Sequence, residues 1–215
     1  MSAPSARSTV KRNASRAEYD RATLMAVLAA HHVCHVAYVV DGEPRQIPTL
    51  YFCDADYLYL HGNRQSAMLR HMAEGGEVCV TVTFTDGVVV ARSGFHCSMN
   101  YRSVTVFGQG ELLSGEAHLA ALDGFVRALV PGHEQAVRDH TPQEIAATTS
   151  VRIPLTEMSG KIRTGGPIDD EKDLDGDTWA GVIPLTTVRH AALPAEDLKG
   201  GIGVPDYIDN YSPKG

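Results

Sequence analysis

One segment of the sequence opens with a cluster of polar side chains and continues as an apolar strand. FHCSMNYRSVTVFGQGELL, residues 95–113, begins with a His, a Cys, an Asn, a Tyr and an Arg among its first eight residues. The strand period of two places Arg102 on the same face as Val104 and Val106. A guanidinium at the end of an apolar face needs an acceptor, because an unpaired desolvated charge is costly. Arg102 therefore meets an anionic or multi-acceptor ligand, or it pairs with a nearby carboxylate or reaches solvent.

A second segment, RQIPTLY at residues 45–51, carries Pro48 in the middle of a strand pattern. Proline removes a ladder donor, so it belongs at a sheet edge or a bulge, where neighbouring backbone groups are free. A planar heterocycle with its own donors and acceptors suits such an edge. The alternative is an ordinary edge proline.

A third segment, HGNRQS at residues 61–66, runs from a strand end into a helix start. Free amides and the helix dipole favour an anion there, and Arg64 and Ser66 add a charge and a hydroxyl. The pattern is typical of a phosphate site and equally of ordinary capping. Lys161 and Arg163 form a further pair of cations upstream of Trp179, either for a phosphate or ring carbonyl or as a solvated pair.

The ten histidines show no HExxH or Cys/His spacing, so we predict no metal site. His61 and His96 are candidates near a bound ligand, with a structural role as the alternative. The sequence also lacks GxSxG and a Walker loop, and its late GGIGVP is not followed by a βα unit.

Composition narrows the function class. The chain has 215 residues and a formal charge of -7 without a dense Lys/Arg block, which argues against nucleic acid or anionic lipid as a partner. Its four cysteines include no CxxC, and no stretch approaches the length of a membrane span. We expect one cytosolic domain with a loose N-terminal tail and a small-molecule partner.

Hydrophobic periodicity predicts the elements that position these residues. We expect a helix over residues 17–30 capped by Ser15, a meander of three strands with a tight turn at Asp41-Gly42, and a short helix capped by Ser66. Two strands separated by a turn at 85–87 follow, then the strand described above and a helix near 116–130. A capping box begins at Thr141, and SVRIPLTEMSGKI forms one last long strand. Five to seven short strands indicate a barrel.

Four segments taken together resemble one family. They are IPTLYFCDADYLYLHGNRQSAML, FHCSMNYRSVTVFGQGELL, SVRIPLTEMSGKIRTGGPIDDEKD and WAGVIPL. In this order and spacing they resemble the FMN-binding split-barrel proteins related to pyridoxamine 5'-phosphate oxidase, in the nitroimidazole-resistance-like branch. The resemblance implies a mainly β fold, a six-stranded antiparallel split barrel with flanking helices over residues 15–185. Residues 1–14 would be a flexible tail, and residues 186–215 an extension packed on the surface.

The resemblance also implies a homodimer with FMN at the interface. Residues 45–49 would lie along the flavin ring, residues 61–63 would begin the phosphate turn, and Ser66 would meet the phosphate. The partner chain would supply Arg102 and Ser103, and Lys161, Arg163 and Trp179 would close over the ring or substrate. The implied cofactor-binding residues are Arg45, Ile47, Pro48, Thr49, His61, Gly62, Asn63, Arg64, Ser66, Arg102, Ser103, Lys161, Arg163 and Trp179.

Two departures from the oxidases affect the expected activity. Ser66 is followed by Ala67 and Met68 in place of an Arg-Lys pair, and the C-terminal segment differs from the substrate-contacting end of the oxidases. Synthesis of pyridoxal phosphate is therefore not expected. The leading hypothesis is an FMN-dependent oxidoreductase with no assigned catalytic side chain. The alternatives are a protein that binds flavin, deazaflavin or haem without turnover, with His61, His71 or His96 as axial ligand, and a nitroimidazole-type nitroreductase.

Overall fold

The computed structural model describes residues 2–212 as an antiparallel sheet with short flanking helices. The strands are β1 (Ala17–Glu18), β2 (Val33–Val40), β3 (Glu43–Cys53), β4 (Tyr57–Asn63), β5 (Glu77–Val90), β6 (Ser98–Gln109), β7 (Glu111–Leu112), β8 (Thr148–Pro154), β9 (Met158–Arg163) and β10 (Gly181–Pro184). The helices are α1 (Arg21–Ala29), α2 (Ala67–Ala73), α3 (Gly115–Leu129), α4 (Pro142–Ala147) and α5 (Asp206–Asp209).

The strands follow the order β1-β9-β6-β5-β2-β3-β4-β8-β7, with β10 paired to β5. Valines at registered positions of β2, β5 and β6 line the interior, where Val36, Val80 and Val106 are fully buried. Leu58 and Leu60 of β4 complete this core from the other side. The expected split barrel with flanking helices is confirmed, but the structure has ten strands where six were predicted, because several are two to four residues long.

Local signals in the sequence placed several elements correctly. Asp41 and Gly42 both have positive φ, 54° and 78°, as a tight β2–β3 hairpin requires. The Ser66 side chain accepts the backbone N–H of Leu69 and begins α2. Thr141 and Glu144 form the expected capping box of α4.

Two of the expected helix and strand boundaries were wrong. Helix α1 begins at Arg21, because the Asp20 side chain caps it by accepting the Thr23 N–H at 2.9 Å. Residues 17 and 18, predicted as helix, instead pair with β9. The expected turn at 85–87 is a register shift inside the continuous strand β5, whose second half is covered by β10.

The predicted last long strand, residues 150–162, is in fact two strands. Residues between β8 and β9 bond to other segments: the Leu155 N–H donates to the Asp56 carbonyl at 2.7 Å, and the Glu157 carbonyl accepts from Phe107 at 2.9 Å. Strand β8 therefore pairs with β4, whereas β9 pairs with β6.

Residues near the two ends of the described chain both contact other parts of the fold. Near the N-terminus, Arg7 pairs with Glu77 at 3.1 Å and with Glu157 at 2.6 Å. Near the C-terminus, the Tyr207 hydroxyl lies 3.0 Å from His133 Nδ1, at hydrogen-bonding distance. Residue 1 of the predicted N-terminal tail and residues 213–215 of the predicted extension lie outside the described residues. Within residues 2–212, every helix is too short or too polar to cross a bilayer.

Candidate functional site

An opening in the sheet separates β3 from β4. Strand β3 pairs with β2 along residues 43–50 and with β4 along residues 51–53. Beyond the Tyr51–Leu60 pair the two strands diverge, so one edge of residues 43–50 has no neighbouring strand in the described part of the chain. Residues 43–48 are exposed. This free edge presents backbone donors and acceptors, and Pro48 lies on it as an edge position allows.

The turn after β4 forms the other side of this opening. If the β3–β4 register continued past Tyr51 and Leu60, Thr49 would face Gly62. The Arg64 N–H donates to the Ala147 carbonyl at 3.0 Å, which fixes the turn against α4. The Arg64 side chain is exposed and has no ion-pair partner among residues 2–212. We call the space between residues 43–50 and 61–66 the β3–β4 groove.

Eight of the predicted cofactor-binding residues border the β3–β4 groove. Four of them come from the β3 edge and four from the turn after β4. These two segments are twelve or more residues apart in the sequence, and the strand register brings them together. These residues are Arg45, Ile47, Pro48, Thr49, Gly62, Asn63, Arg64 and Ser66.

His61 lies under helix α3. Its ring centroid is 3.8 Å from that of Phe125, and burial together with the nearby His118 lowers the pKa of His61. Phe52 packs edge-on against Phe125 at 4.7 Å and stacks on Tyr59 at 4.4 Å. His61 therefore belongs to a secondary core between α3 and the outer face of the barrel.

Arg102 has a carboxylate partner within its own chain. Its guanidinium donates two hydrogen bonds to Asp86, at 2.9 and 2.8 Å, and lies 4.6 Å from the centroid of the Phe84 ring. A cleft of about 410 Å³ lies between this ion pair and residues 185–187. The Ser103 hydroxyl donates to the Lys161 carbonyl at 3.2 Å.

The predicted cofactor-binding residues on β6 and β9 lie away from the β3–β4 groove within one chain. Strands β2 and β5 stand between β3 and β6, so the sheet separates Arg102, Ser103 and Lys161 from the β3–β4 groove. Arg163 is 6% exposed and donates to Asn100 and to the Gly166 carbonyl, and its guanidinium thereby holds the loop after β9. Trp179, in contrast, is 64% exposed.

A pocket of about 480 Å³ lies at one end of the outer face of β2, β5 and β6. Val39, Cys79 and Phe107 form much of its apolar lining, and Arg7 and His71 stand in its wall. His71 Nε2 lies 3.0 Å from the Glu77 carbonyl oxygen, to which it donates. We call this space the His71 pocket. Sequence reasoning named His71 but missed Arg7, because the first residues carry no hydrophobic periodicity that would attach them to the barrel.

The fold and the groove define a known class of protein. A family model described as pyridoxamine 5'-phosphate oxidase matches residues 20–162, which is more than half of the chain. The chain belongs to this pyridoxamine 5'-phosphate oxidase-like family. The match includes both sides of the β3–β4 groove and ends before the loop that contains Trp179. A comparison with curated proteins found no match.

Two solved structures resemble the chain over almost its whole length, and a third resembles part of it. The flavocytochrome Anf3 from Azotobacter vinelandii is 35% identical, with a TM-score of 0.93 and coverage of 99% of each chain. An FAD and heme binding protein from Mycobacterium smegmatis is 36% identical, with a TM-score of 0.87 and coverage of 90% of this chain and 96% of that one. A putative 5-nitroimidazole antibiotic resistance protein from Bacteroides thetaiotaomicron is 20% identical, with a TM-score of 0.57 over 68% and 86% of the two chains, and shares the fold.

Proposed function

We propose that this chain is a flavin-dependent oxidoreductase that holds its flavin in the β3–β4 groove. The observation that carries the proposal is the divergence of β3 and β4, which leaves one edge of residues 43–50 free. An isoalloxazine ring has a polar edge of carbonyl and nitrogen groups, and the free strand edge offers matching donors and acceptors. The names of two relatives at 35% and 36% identity, a flavocytochrome and an FAD and heme binding protein, support the same cofactor class.

The residues of the groove divide into two roles under this proposal. Residues 45–49 orient the ring through their backbone, and Arg64 supplies the cation for a phosphate. Among residues 2–212 the exposed Arg64 guanidinium has no ion-pair partner and is available to an anion, which distinguishes it from the paired Arg102. The bound flavin would supply the hydride or electron transfer, while the protein orients the ring and limits its exposure to water.

The form of the flavin is a separate question. FMN is the expectation from the family resemblance, whereas FAD is named for the Mycobacterium smegmatis relative at 36% identity. We propose FAD for this chain, because that relative matches it over 90% of its length. Release of the cofactor by heat and measurement of its mass distinguishes the two.

A second copy of the chain would complete the site. Residues facing outward at registered positions of β2, β5 and β6 include no carboxylate, Lys or Arg: His35, Thr81 and Thr105 form one row, and Ala37, Cys79 and Phe107 form the next. The exposed Val39 continues this face. Such a surface suits an isologous interface, which would bring the Arg102 region of one copy towards the β3–β4 groove of the other. Because Ala37, Val39, Cys79 and Phe107 also line the His71 pocket, the second copy would cover that pocket.

The absorption spectrum and the oligomeric state test this proposal together. We expect purified protein to be a dimer that carries flavin bands and releases a flavin of defined mass. A colourless monomer that quenches neither FAD nor FMN fluorescence at micromolar concentration would overturn the proposal.

The His71 pocket favours haem as a second cofactor. The two relatives named above, at 35% and 36% identity, are described with a cytochrome or haem, and the pocket volume of about 480 Å³ suits a ligand of this size. The bond from His71 Nε2 to the Glu77 carbonyl fixes the ring and its tautomer, as metal-binding histidines require, and leaves Nδ1 as a ligand. Arg7 and Arg45 also stand in the wall, where Arg7 pairs with Glu77 and Glu157 and Arg45 pairs with Glu43.

Haem titration tests this second candidate. Addition of haemin is expected to give a sharp Soret band in the wild-type protein and a weaker, shifted band in His71→Ala. His190→Ala, which changes an exposed histidine that does not line the His71 pocket, is the matched control. Equal spectra in all three proteins would exclude His71 as the ligand.

A further inference from the structure

Near helix α3 the described residues include three buried polar atoms without a hydrogen-bond partner. His61 Nδ1, His118 Nδ1 and Ser150 Oγ are buried and have no hydrogen-bond partner in the described part of the chain. His61 and Ser150 are register partners on β4 and β8, so their side chains share one face of the barrel. His118 is 7% exposed and Ser150 is fully buried. Buried polar groups are nearly always satisfied, so a cluster of three requires an explanation.

A chain of contacts links this cluster to the β3–β4 groove. His118 Nε2 lies 3.3 Å from the Ile145 carbonyl in α4, to which it donates. Two residues further along, the Ala147 carbonyl at the end of α4 accepts the Arg64 N–H at 3.0 Å. Helix α4 therefore connects His118 on one side to the turn of residues 61–66 on the other.

The surroundings of His61 fit its neutral form. Its Nδ1 is buried and has no hydrogen-bond partner among the described residues, so a proton added there would have no acceptor. The ring also lies beside His118, whose Nε2 donates to the Ile145 carbonyl. Burial, and then the neighbouring His118, lower the pKa of His61, which agrees with a site that excludes charge.

The charged side chains near His61 and His118 form ion pairs or hydrogen bonds with other residues. On β8, Arg152 pairs with Glu111 at 2.7 Å. On α4, Glu144 pairs with Arg138 at 2.6 Å. On the other elements, Asp54 accepts the Tyr59 hydroxyl of β4, and Asp123 of α3 lies 3.1 Å from His140. A carboxylate that would compensate a protonated His61 is therefore not found among these neighbours.

We propose that His61 and His118 are positioning residues which together hold α4 and the turn of residues 61–66 in the geometry that binds the flavin phosphate. Protonation of His61 displaces α3 and α4 from the barrel, and the Arg64 N–H loses its acceptor. Flavin affinity then falls in mildly acidic solution. The expected loss of flavin affinity rests on the proposed function. The contacts among α3, α4 and the turn of residues 61–66 do not depend on a cofactor.

The pH dependence of FAD binding tests the proposal, with His61→Gln and His118→Ala as variants. We expect the wild-type affinity to fall by at least about threefold between pH 7.5 and 5.5, as linkage to a protonation requires. His61→Gln removes the titrating ring, so the ratio of its affinities at the two pH values should be close to one. His118→Ala loses the N–H that donates to Ile145 and should bind FAD more weakly at both pH values. A decline in His61→Gln equal to that of the wild type would overturn the inference.

Hydrogen exchange of the free protein separates this inference from the proposed function. The Arg64 amide should exchange faster at pH 5.5 than at pH 7.5 after correction for the intrinsic rate, and this difference should disappear in His61→Gln. If FAD and FMN do not bind at any pH, the proposed function fails while the exchange experiment still decides the inference. Equal corrected protection of the Arg64 amide at the two pH values would overturn it.

Discussion

Replacement of Arg64 by Gln should weaken flavin binding without affecting the fold. Arg64 is exposed, and its side chain has no ion pair among residues 2–212, so its loss should change the free energy of unfolding by less than about 0.5 kcal/mol. A charge-assisted hydrogen bond to a phosphate contributes about 1.5–3 kcal/mol, and about 1.4 kcal/mol corresponds to a tenfold change in Kd. Because solvent screens an exposed site, the low end applies, and we expect a loss of about tenfold.

Fluorescence quenching of FAD at constant ionic strength measures this change. Arg70→Gln is the matched control, because it removes the same charge from an exposed position of α2, one helical turn beyond Ser66. Its Kd should change by less than about twofold, with increased salt reducing the difference between the two variants. If Arg64→Gln binds FAD as tightly as the wild type, or if both variants lose affinity equally, the phosphate does not lie at Arg64.

Three further predictions concern the barrel itself. Tyr51→Phe should destabilise the protein by about 1–3 kcal/mol in urea unfolding, because the buried Leu28 carbonyl loses the hydroxyl that donates to it at 2.6 Å; an unchanged midpoint would contradict this. Burial raises the pKa of the Cys34 thiol to about 12, so iodoacetamide at pH 8 should label the exposed Cys97 long before Cys34. Equal labelling rates of the two cysteines by mass spectrometry would refute the burial argument. Because the pKa of His61 is lowered in the folded protein, the unfolded chain binds the proton more readily. Stability should therefore be lost as pH falls below about 6.5, and this loss should be smaller in His61→Gln. Identical urea midpoints at pH 7 and pH 5.5 would contradict the assignment.

Local sequence signals predicted the parts of the fold that depend on neighbouring residues. The hairpin at Asp41-Gly42 and the caps at Ser66 and Thr141 follow from side-chain chemistry within three or four residues, and each is present. The boundary at α1 was wrong because Ser15 and Asp20 both precede the apolar run. The choice between them depends on whether residues 17 and 18 pair with β9, which is far away in the sequence.

Non-local pairing accounts for the parts that sequence reasoning missed. A strand pattern across residues 150–162 does not show that its two halves pair with different partners, β4 and β6. The sequence leaves the partner of Arg102 open between a ligand and a carboxylate, and the structure provides Asp86. Because the sequence predicts a turn at Asp86, nothing in it places this carboxylate beside Arg102.

The sequence predicts which residues border the β3–β4 groove, but it does not predict that they lie together. Pro48 indicates a sheet edge, and residues 61–66 indicate an anion site. Only the register past Tyr51 and Leu60 shows that these two segments border one opening. The His61–His118 pair had no sequence signal, because the two histidines are far apart along the chain and meet through the packing of α3 on the barrel. Their role is therefore visible only in the folded chain.

The most direct test of the central claim is a crystal structure of the protein grown with FAD. We expect two copies in contact, with the isoalloxazine ring within hydrogen-bond distance of the backbone of residues 47–49 and a phosphate beside Arg64. A flavin bound away from the β3–β4 groove, with the free edge of residues 43–50 covered by another strand, would contradict the account.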